Sequence, residues 1–399
     1  MSADPKRSLQ IDVYGHYLGL RHMRNPIAFA RRACGLGLFT WLFLSTAHAY
    51  EAIDLSGFRD GIKHWNDKYG RDRADERYAP DQVVQIADNI LTYQLEDGGW
   101  PKNLDPQLKV SEAELRPLLG RSLSRSTLDN RSTYPQIIYL AQVYTQTKQQ
   151  KYLKSVERGL GYILAEQRAS GGWRGADVDA VTYNDDVMLG VMRLFRDINR
   201  GVDHFNWLDD GLRQRVSASL ARAIEVTLRC QVVVDGVKTA WGQQHSHDTF
   251  EPVKARSYEL PAICSAESSG ILRFLMEIED PLPEIVSAIE AGVAWIERAK
   301  ISGIRIKDIE IDPVRFHNHT TTRDRVVVQD PGAPPIWARY YEVDTNRPFF
   351  CNRDGIKVYS LAEVKLERRT GYGWYTGSPS RLLDVDYPAW KARCQSGSM

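Results

Sequence analysis

"TYQLEDGGW" (92–100) and "AEQRASGGW" (165–173) end alike, 73 residues apart. Each closes a helix-like run on a glutamine and then on Gly-Gly-Trp, and Gln94 and Gln167 keep the same 73-residue interval. The runs before them, "DQVVQIADNILTYQ" (81–94) and "YLKSVERGLGYILAEQ" (152–167), carry apolar residues at three- and four-residue steps. That is the period of an amphipathic helix, and polar residues followed by glycine are a helix stop. A further helix follows each stop: "YPQIIYLAQVYTQT" (134–147) and "DVMLGVMRLFRDI" (186–198). A worn third copy is read at "GVAWIERAKISGIRI" (292–306), with Trp295 where Tyr162 would fall, and "ESSGILRFLMEI" (267–278) is another helix of the set.

Helix pairs repeated at such intervals cannot bury their faces alone and stack on their neighbours. Closed into a ring, they predict an all-α protein, an α/α toroid with long irregular loops and minor β. The loops entering the inner helices then gather on one rim, and Gly-Gly-Trp marks the turn from an outer helix onto it. "STLDNRSTYP" (126–135), "VTYNDDVML" (181–189) and "KARSYELPAICSAESSG" (254–270) are three such loops. Asp129, Asp185 or Asp186, and Arg256 should therefore face one opening. Carboxylates at a helix start often only cap it, a reading that fits 184–186 as well as a functional one does. Two carboxylates from different repeats also make a hard-oxygen site suited to calcium.

Composition narrows the partners. The chain has 399 residues, 43% hydrophobic and 26% charged, which suits a globular protein. Ten Trp and nineteen Tyr can pack a core or stack on sugars. A basic segment (21–33), an apolar run (34–46) and "AHA" (47–49) form a signal-peptide pattern. Residues 1–49 are read as that signal, with Met23 as a possible true start, and 50–399 as a single catalytic domain. The product would be exported, periplasmic or extracellular, a monomer with no membrane attachment after signal removal. Six of 52 basic and two of 51 acidic side chains lie in 1–49, so the remainder carries a net charge near −3. No global basic field exists for nucleic acid. Cys230, Cys264, Cys351 and Cys394 remain after Cys34 leaves; no zinc-type spacing joins them, and their pairing is open.

Nine segments in series resemble the family-ten pectate lyases, which cleave polygalacturonate by β-elimination. They are "DGGWPKN" (97–103), "LDNRST" (128–133), "GGW" (171–173), "TYNDDVM" (182–188), "WGQQH" (241–245), "ARSYELP" (255–261), "WARYYEV" (337–343), "NRDG" (352–355) and "RRTGYGWY" (368–375). The resemblance implies an α/α toroid, a Ca2+ cofactor and an acidic polysaccharide substrate. It implies Arg256 as the base for the C5 proton and Asp129 with Asp185 or Asp186 as calcium ligands. Lys102, Asn130, Arg339 and Arg353 would bind substrate, and His245 is read as part of the same rim. Arginine suits planar carboxylates because it binds them bidentately. It is an unusual base, since guanidinium normally stays protonated; read from the residues alone, Arg256 is rather a substrate clamp or a partner of Glu259.

Two positions depart from the family pattern: Gly242 stands where Cys is expected and Arg174 where Pro is expected. Trp337, Tyr340, Tyr372 and Trp374 could stack on sugar rings, though packing suits each one singly. "HSHD" (245–248) and "HNH" (317–319) are metal-like fragments without a supporting pattern. Three other readings compete. A terpene cyclase shares the glutamine–tryptophan repeat, but "DVDA" (177–180) lacks the last carboxylate of its acid motif. A glycoside hydrolase would use Asp129 and Asp186 as acid and base. A pectin-binding protein would use the same rim without chemistry.

Overall fold

The computed structural model describes residues 50–67, 75–317 and 319–396. The signal-peptide reading of 1–49 and the start at Met23 fall outside them. The helices that build the frame are α1 (Arg59–Trp65), α2 (Val83–Thr92), α3 (Glu112–Leu119), α4 (Tyr134–Thr147), α5 (Gln150–Glu166), α6 (Val187–Asn199), α7 (Asp210–Arg229), α8 (Ser265–Met276) and α9 (Pro283–Arg298).

Burial separates inner from outer helices. α6 buries Val187 to Met192 without a break, then Leu194, Phe195 and Ile198. Helices apolar all round belong inside. α5 instead buries one stripe that includes Tyr152, Val156, Leu160 and Ile163. The inner helices α4, α6 and α8 pack in sequence, and α5, α7 and α9 each back onto the inner helix before them. Outer helices α2, α5, α7 and α9 also touch in order. This is the α/α toroid arrangement that the repeat predicts. Lys148 makes the tight turn between α4 and α5 in the left-handed conformation, its N–H donating to the Tyr144 carbonyl.

The repeated motif has a mechanical meaning. Gln94 Nε2 donates to the Gly98 carbonyl (2.8 Å) and to Ser155 O of the next outer helix (2.9 Å). Gln167 does the same to Gly171 O (2.8 Å) and Ser219 O (2.9 Å). Gly98 and Gly171 have φ of +94° and +96°, and a Cβ on either would overlap the carbonyl oxygen of Arg158 or Arg222. Only glycine fits a left-handed turn pressed that closely against a neighbouring helix. The indoles of Trp100 and Trp173 donate back to Ile90 O (2.7 Å) and Ile163 O (2.8 Å).

The third copy lies elsewhere than expected. Gln231 Nε2 reaches Thr239 O (3.0 Å) and Ala288 O of α9 (2.9 Å), and Trp241 Nε1 reaches Thr227 O of α7 (2.7 Å). A small hairpin, Val233–Val234 with Val237–Lys238, separates this glutamine from its tryptophan and hides the spacing. The segment 292–306 is not one helix. α9 stops at Arg298, and Ile304–Arg315 is a strand paired with Thr320–Gln329. Gly303 (φ +78°) and the alternation Ile304, Arg305, Ile306, Lys307 are strand signals that override the helical period before them.

Candidate active site

Short strands set the rim. Val181–Thr182 pairs with Gln244–His245 and holds the turn that carries Asp185. A four-stranded antiparallel sheet runs Ile263–Cys264, Tyr340–Tyr341, Pro348–Cys351, Lys357–Val358. Arg256 precedes the first of these strands, Arg339 immediately precedes the second, and Arg353 follows the third. Beneath the sheet lies a separate aromatic core that includes Tyr258, Tyr340, Phe349, Phe350 and Trp374.

Both carboxylate turns bend through left-handed residues. Asn130, Arg131 and Thr133 have φ of 51°, 55° and 70°; Asp185 and Asp186 have 52° and 63°. Asp and Asn tolerate this region better than most residues. The two neighbouring aspartates then diverge. Asp186 accepts from Arg193 Nη1 (2.8 Å) and the Tyr134 hydroxyl (3.3 Å), and Arg131 Nη2 lies 3.3 Å from it. It ties the Asp129 turn to its own. Among the described residues Asp185 accepts only from Asn184 Nδ2 (2.9 Å). It is open to solvent, yet the groove walls crowd it. Desolvation first, and then the charge of Asp129, push its carboxyl up to about 7, against Arg256 and Arg339, which lower it.

A hard cation fits this pair. Lys102 Nζ lies 2.5 Å from Asp129 Oδ2, and Asp129 is nearly buried. The other Asp129 oxygen, Oδ1, faces Gly175, where an added Cβ would come within 3.6 Å. The charge of Asp129 bears on Asp185, and a divalent ion between two such carboxylates would offset that repulsion. Among the described residues no group of three or more His, Cys, Asp or Glu surrounds a metal position. Remaining coordination would fall to water and ligand oxygens.

The cationic side of the groove is built on a buried polar chain. Arg256 Nη2 donates to Glu259 Oε1, and its Nε lies 3.7 Å from Asp177. Glu259 is buried, and its carboxyl is held low by Arg256 and Tyr372 against the desolvation that raises it. Its charge in turn holds the proton on Arg256 more firmly than usual, although desolvation opposes this. The Tyr372 hydroxyl donates to Glu259 (2.8 Å) and meets the Tyr340 hydroxyl (2.7 Å). Tyr340 continues to Gln243 Oε1 (2.6 Å), and Gln243 Nε2 donates to Asn184 Oδ1 and Glu267 Oε1 (3.0 Å each). Arg339 Nη2 bonds the same two acceptors (3.1 and 3.2 Å) and stacks 4.6 Å from the Tyr372 ring centre. Arg353 is bidentate on Glu367 (2.9 and 3.0 Å) and half-exposed. Arg256, Arg353 and Arg368 all approach the Tyr258 ring within 5.4 Å.

Asp129, Asp185, Arg256 and Arg339 thus meet around one groove, with Lys102 on Asp129. Asn130 donates to Asn103 Oδ1 (2.9 Å) beside it. His245 does not reach the opening. It is fully buried, its Nε2 accepting from Gly242 N–H (2.8 Å) and its Nδ1 donating to Phe250 O (2.7 Å). Burial pushes its pKa down to about 4, so it is a neutral loop brace. Gly242 leaves room for that brace: a Cβ there would crowd His245 Nε2, Pro252 and the Ala262 carbonyl. Trp337, Tyr340 and Trp374 are buried, so packing is their role; Tyr372 alone of the four is partly exposed. The metal-like fragments are otherwise engaged, His247 with Ser170 (2.7 Å) and His319 with Thr370 (3.1 Å), while Asn318 lies outside the described residues. Cys230, Cys264, Cys351 and Cys394 are all free thiols. Gln243, Glu267 and Asn184 were not singled out as site residues by sequence, because a lone buried polar residue leaves no periodic signal. The pocket of about 650 Å³ lined by Arg273, Arg381 and Arg393 shares no residue with this groove.

A family model of pectic acid lyases matches residues 94–383. The chain belongs to the pectic acid lyase family. A family 10 polysaccharide lyase from Cellvibrio cellulosa is similar at 27% identity and a TM-score of 0.64, over 84% of this chain and 98% of that one. An Asp-to-Ala mutant of a family 10 lyase from that organism, in complex with trigalacturonic acid, matches at 26% identity and 0.64, over 85% and 99%. No curated protein matches. The family-ten resemblance and the α/α toroid are borne out. The chain is a pectate-degrading polysaccharide lyase, which sets aside the terpene-cyclase, glycoside-hydrolase and non-catalytic readings.

Proposed function

We propose that this lyase cleaves polygalacturonate by calcium-assisted β-elimination at the groove between Asp129, Asp185, Arg256 and Arg339. The observation that carries the reading is the approach of two carboxylates from successive repeats, flanked by two guanidinium groups that act on Asp185. Asp129 and Asp185 would hold the cation, and Asp186 would brace their turns. Calcium bound there would supply positive charge to the uronate carboxylate, stabilising the enolate-like charge that develops when C5 loses its proton. Lys102, Asn130, Arg339 and Arg353 bind and orient the sugar carboxylates and hydroxyls. Arg256 takes the C5 proton; that electron pair becomes the C4–C5 double bond, and the C4–O bond breaks toward the departing chain. The leaving oxygen acquires its proton from solvent, and the new chain end is 4,5-unsaturated.

The Arg256–Glu259 pair favours a second reading of one residue. A guanidinium so paired keeps its proton, which suits a clamp on the substrate carboxylate rather than a base. Base function requires the bound cation, Arg339 and Arg353 to outweigh Glu259. The leader pattern in 1–49 supports export, so the enzyme would act outside the cytoplasm as the single domain 50–399. The test is incubation with polygalacturonate, first with calcium and then with a chelator. New ultraviolet absorbance from C4–C5 double bonds should appear only with calcium. Undiminished product in chelator would remove calcium from the mechanism.

A further inference from the structure

Beside Asp129 the groove does not end. Leu128 and Gly175 lead into a pocket of about 280 Å³, whose walls include Arg125, Tyr162, Arg168 and Arg174. That lies at the small end of ligand sites, roughly 300–1,000 Å³, so it holds one sugar unit rather than several. The loop from Arg174 to Ala180 divides this pocket from Arg256: Arg174 and Gly175 line the pocket, while Asp177 lies 3.7 Å from Arg256 Nε. The pocket therefore adjoins Asp129: Leu128 and Gly175 line it, and a Cβ on Gly175 would come within 3.6 Å of Asp129 Oδ1.

Its charges are unevenly matched. Of the lining carboxylates, Asp97 is occupied by Gly99 N–H (3.0 Å) and the Ser126 hydroxyl (2.6 Å). Glu166 lies 3.5 Å from Arg168. Arg174 spends one N–H on the Gly175 carbonyl of its own loop (3.0 Å) and otherwise lies 3.8 Å from Asp179. Arg125 has no hydrogen bond or ion pair among the described residues, and its charge is felt by the Tyr162 hydroxyl at the pocket wall. Two guanidinium groups with donors to spare thus flank a one-sugar pocket on the path of an acidic chain.

We propose that this pocket is an additional subsite for one uronate unit of the substrate, with Arg174 and Arg125 receiving its carboxylate. The assignment rests on the groove reading above. The test compares trigalacturonate with hexagalacturonate on wild type, Arg125→Ala, Arg174→Ala, Arg174→Lys and the double alanine variant. Initial rates come from unsaturated product with calcium, and affinities from calorimetry in chelator. Each alanine should lower hexamer kcat/KM roughly fivefold and the pair roughly tenfold or more, mainly through KM, with trimer rates unchanged. Arg174→Lys should recover part of the loss, since charge is retained. The hexamer's affinity advantage over the trimer should shrink in the double variant by a similar factor. An equal ratio of variant to wild type at both lengths, in rates and affinities, would overturn the subsite. Should wild type yield no unsaturated product while its hexamer advantage still depends on the two arginines, the chemistry reading fails and the subsite stands.

Discussion

Asp185 and Asp186 adjoin in sequence, and the groove assigns them opposite tasks. Asp186→Asn tests the division. Asparagine keeps the left-handed backbone accessible and can still accept from Tyr134, so the change isolates charge. What is lost is the ionic part of two contacts, to Arg193 at 2.8 Å and Arg131 at 3.3 Å. The arginines are 37% and 26% exposed, so solvent screens both pairs. At roughly 0.5–1 kcal/mol for each screened pair, the brace weakens by about 1–2 kcal/mol. If the whole loss is felt as looser placement of Asp185, calcium binding weakens roughly 5–30-fold. Calorimetric titration of calcium measures this directly, and melting temperature should fall by less than about 4 °C. Asp185→Asn should instead abolish measurable binding, because it removes one of the two carboxylates. The reverse ranking, with Asp186→Asn abolishing binding and Asp185→Asn only weakening it, would refute the division of roles.

Arg256→Lys should lower kcat by roughly 10²–10⁴ if Arg256 is the base, whereas Arg339→Lys and Arg353→Lys should mainly raise KM. A KM effect of similar size in all three, with kcat kept within about tenfold, would make Arg256 a clamp. In chelator, Asp185 holds a proton in the folded state that the unfolded chain has released, because its pKa rises from 3.8 to about 7. Its contribution to stability should therefore fall as pH climbs through that window, and Asp185→Asn should flatten that part of the melting-temperature profile. An unchanged slope in the variant would show that Asp185 does not titrate there.

The frame was legible because helices announce themselves by period, and five of the six expected runs became α2, α4, α5, α6 and α8 with shifts of a residue or two. Where the expectation slipped, two signals overlapped. Trp295 lies on a true helix, but its indole donates to Asn346 Oδ1 (2.7 Å), not to a helix carbonyl as the repeat tryptophans do. The real third copy was masked by the hairpin at 233–238. At the rim, residue type and order were readable, while orientation was not. Nothing in "YNDDV" says which aspartate turns toward Asp129; that depends on Arg131 and Arg193, one from the preceding repeat. His245 misled for a related reason. A histidine beside a rim loop reads the same whether its nitrogens face solvent or, as here, a glycine N–H and a carbonyl.

The 73-residue interval finally accounts for the site as well as the fold. Each repeat tryptophan fixes the loop that follows it through main-chain bonds. Thr127 N–H donates to Trp100 O (3.0 Å), Thr182 N–H to Trp173 O (3.0 Å) and Cys264 N–H to Trp241 O (2.7 Å). Asp129 lies two residues past the first of these anchors, Asp185 three past the second, and Arg256 eight before the third. Trp337 closes the series, its indole on Ile296 O (2.8 Å) and Arg339 two residues on. Three main-chain anchors, with Trp337 held by its indole, therefore present two carboxylates and two guanidinium groups to a common groove. Because the anchors are backbone to backbone, side chains on the loops are free to differ between repeats without disturbing the ring. That freedom lets similar repeats supply a carboxylate in two places and a guanidinium in the other two. It also places Arg174, one residue beyond the Trp173 anchor, where a substitution changes the groove and leaves the frame intact.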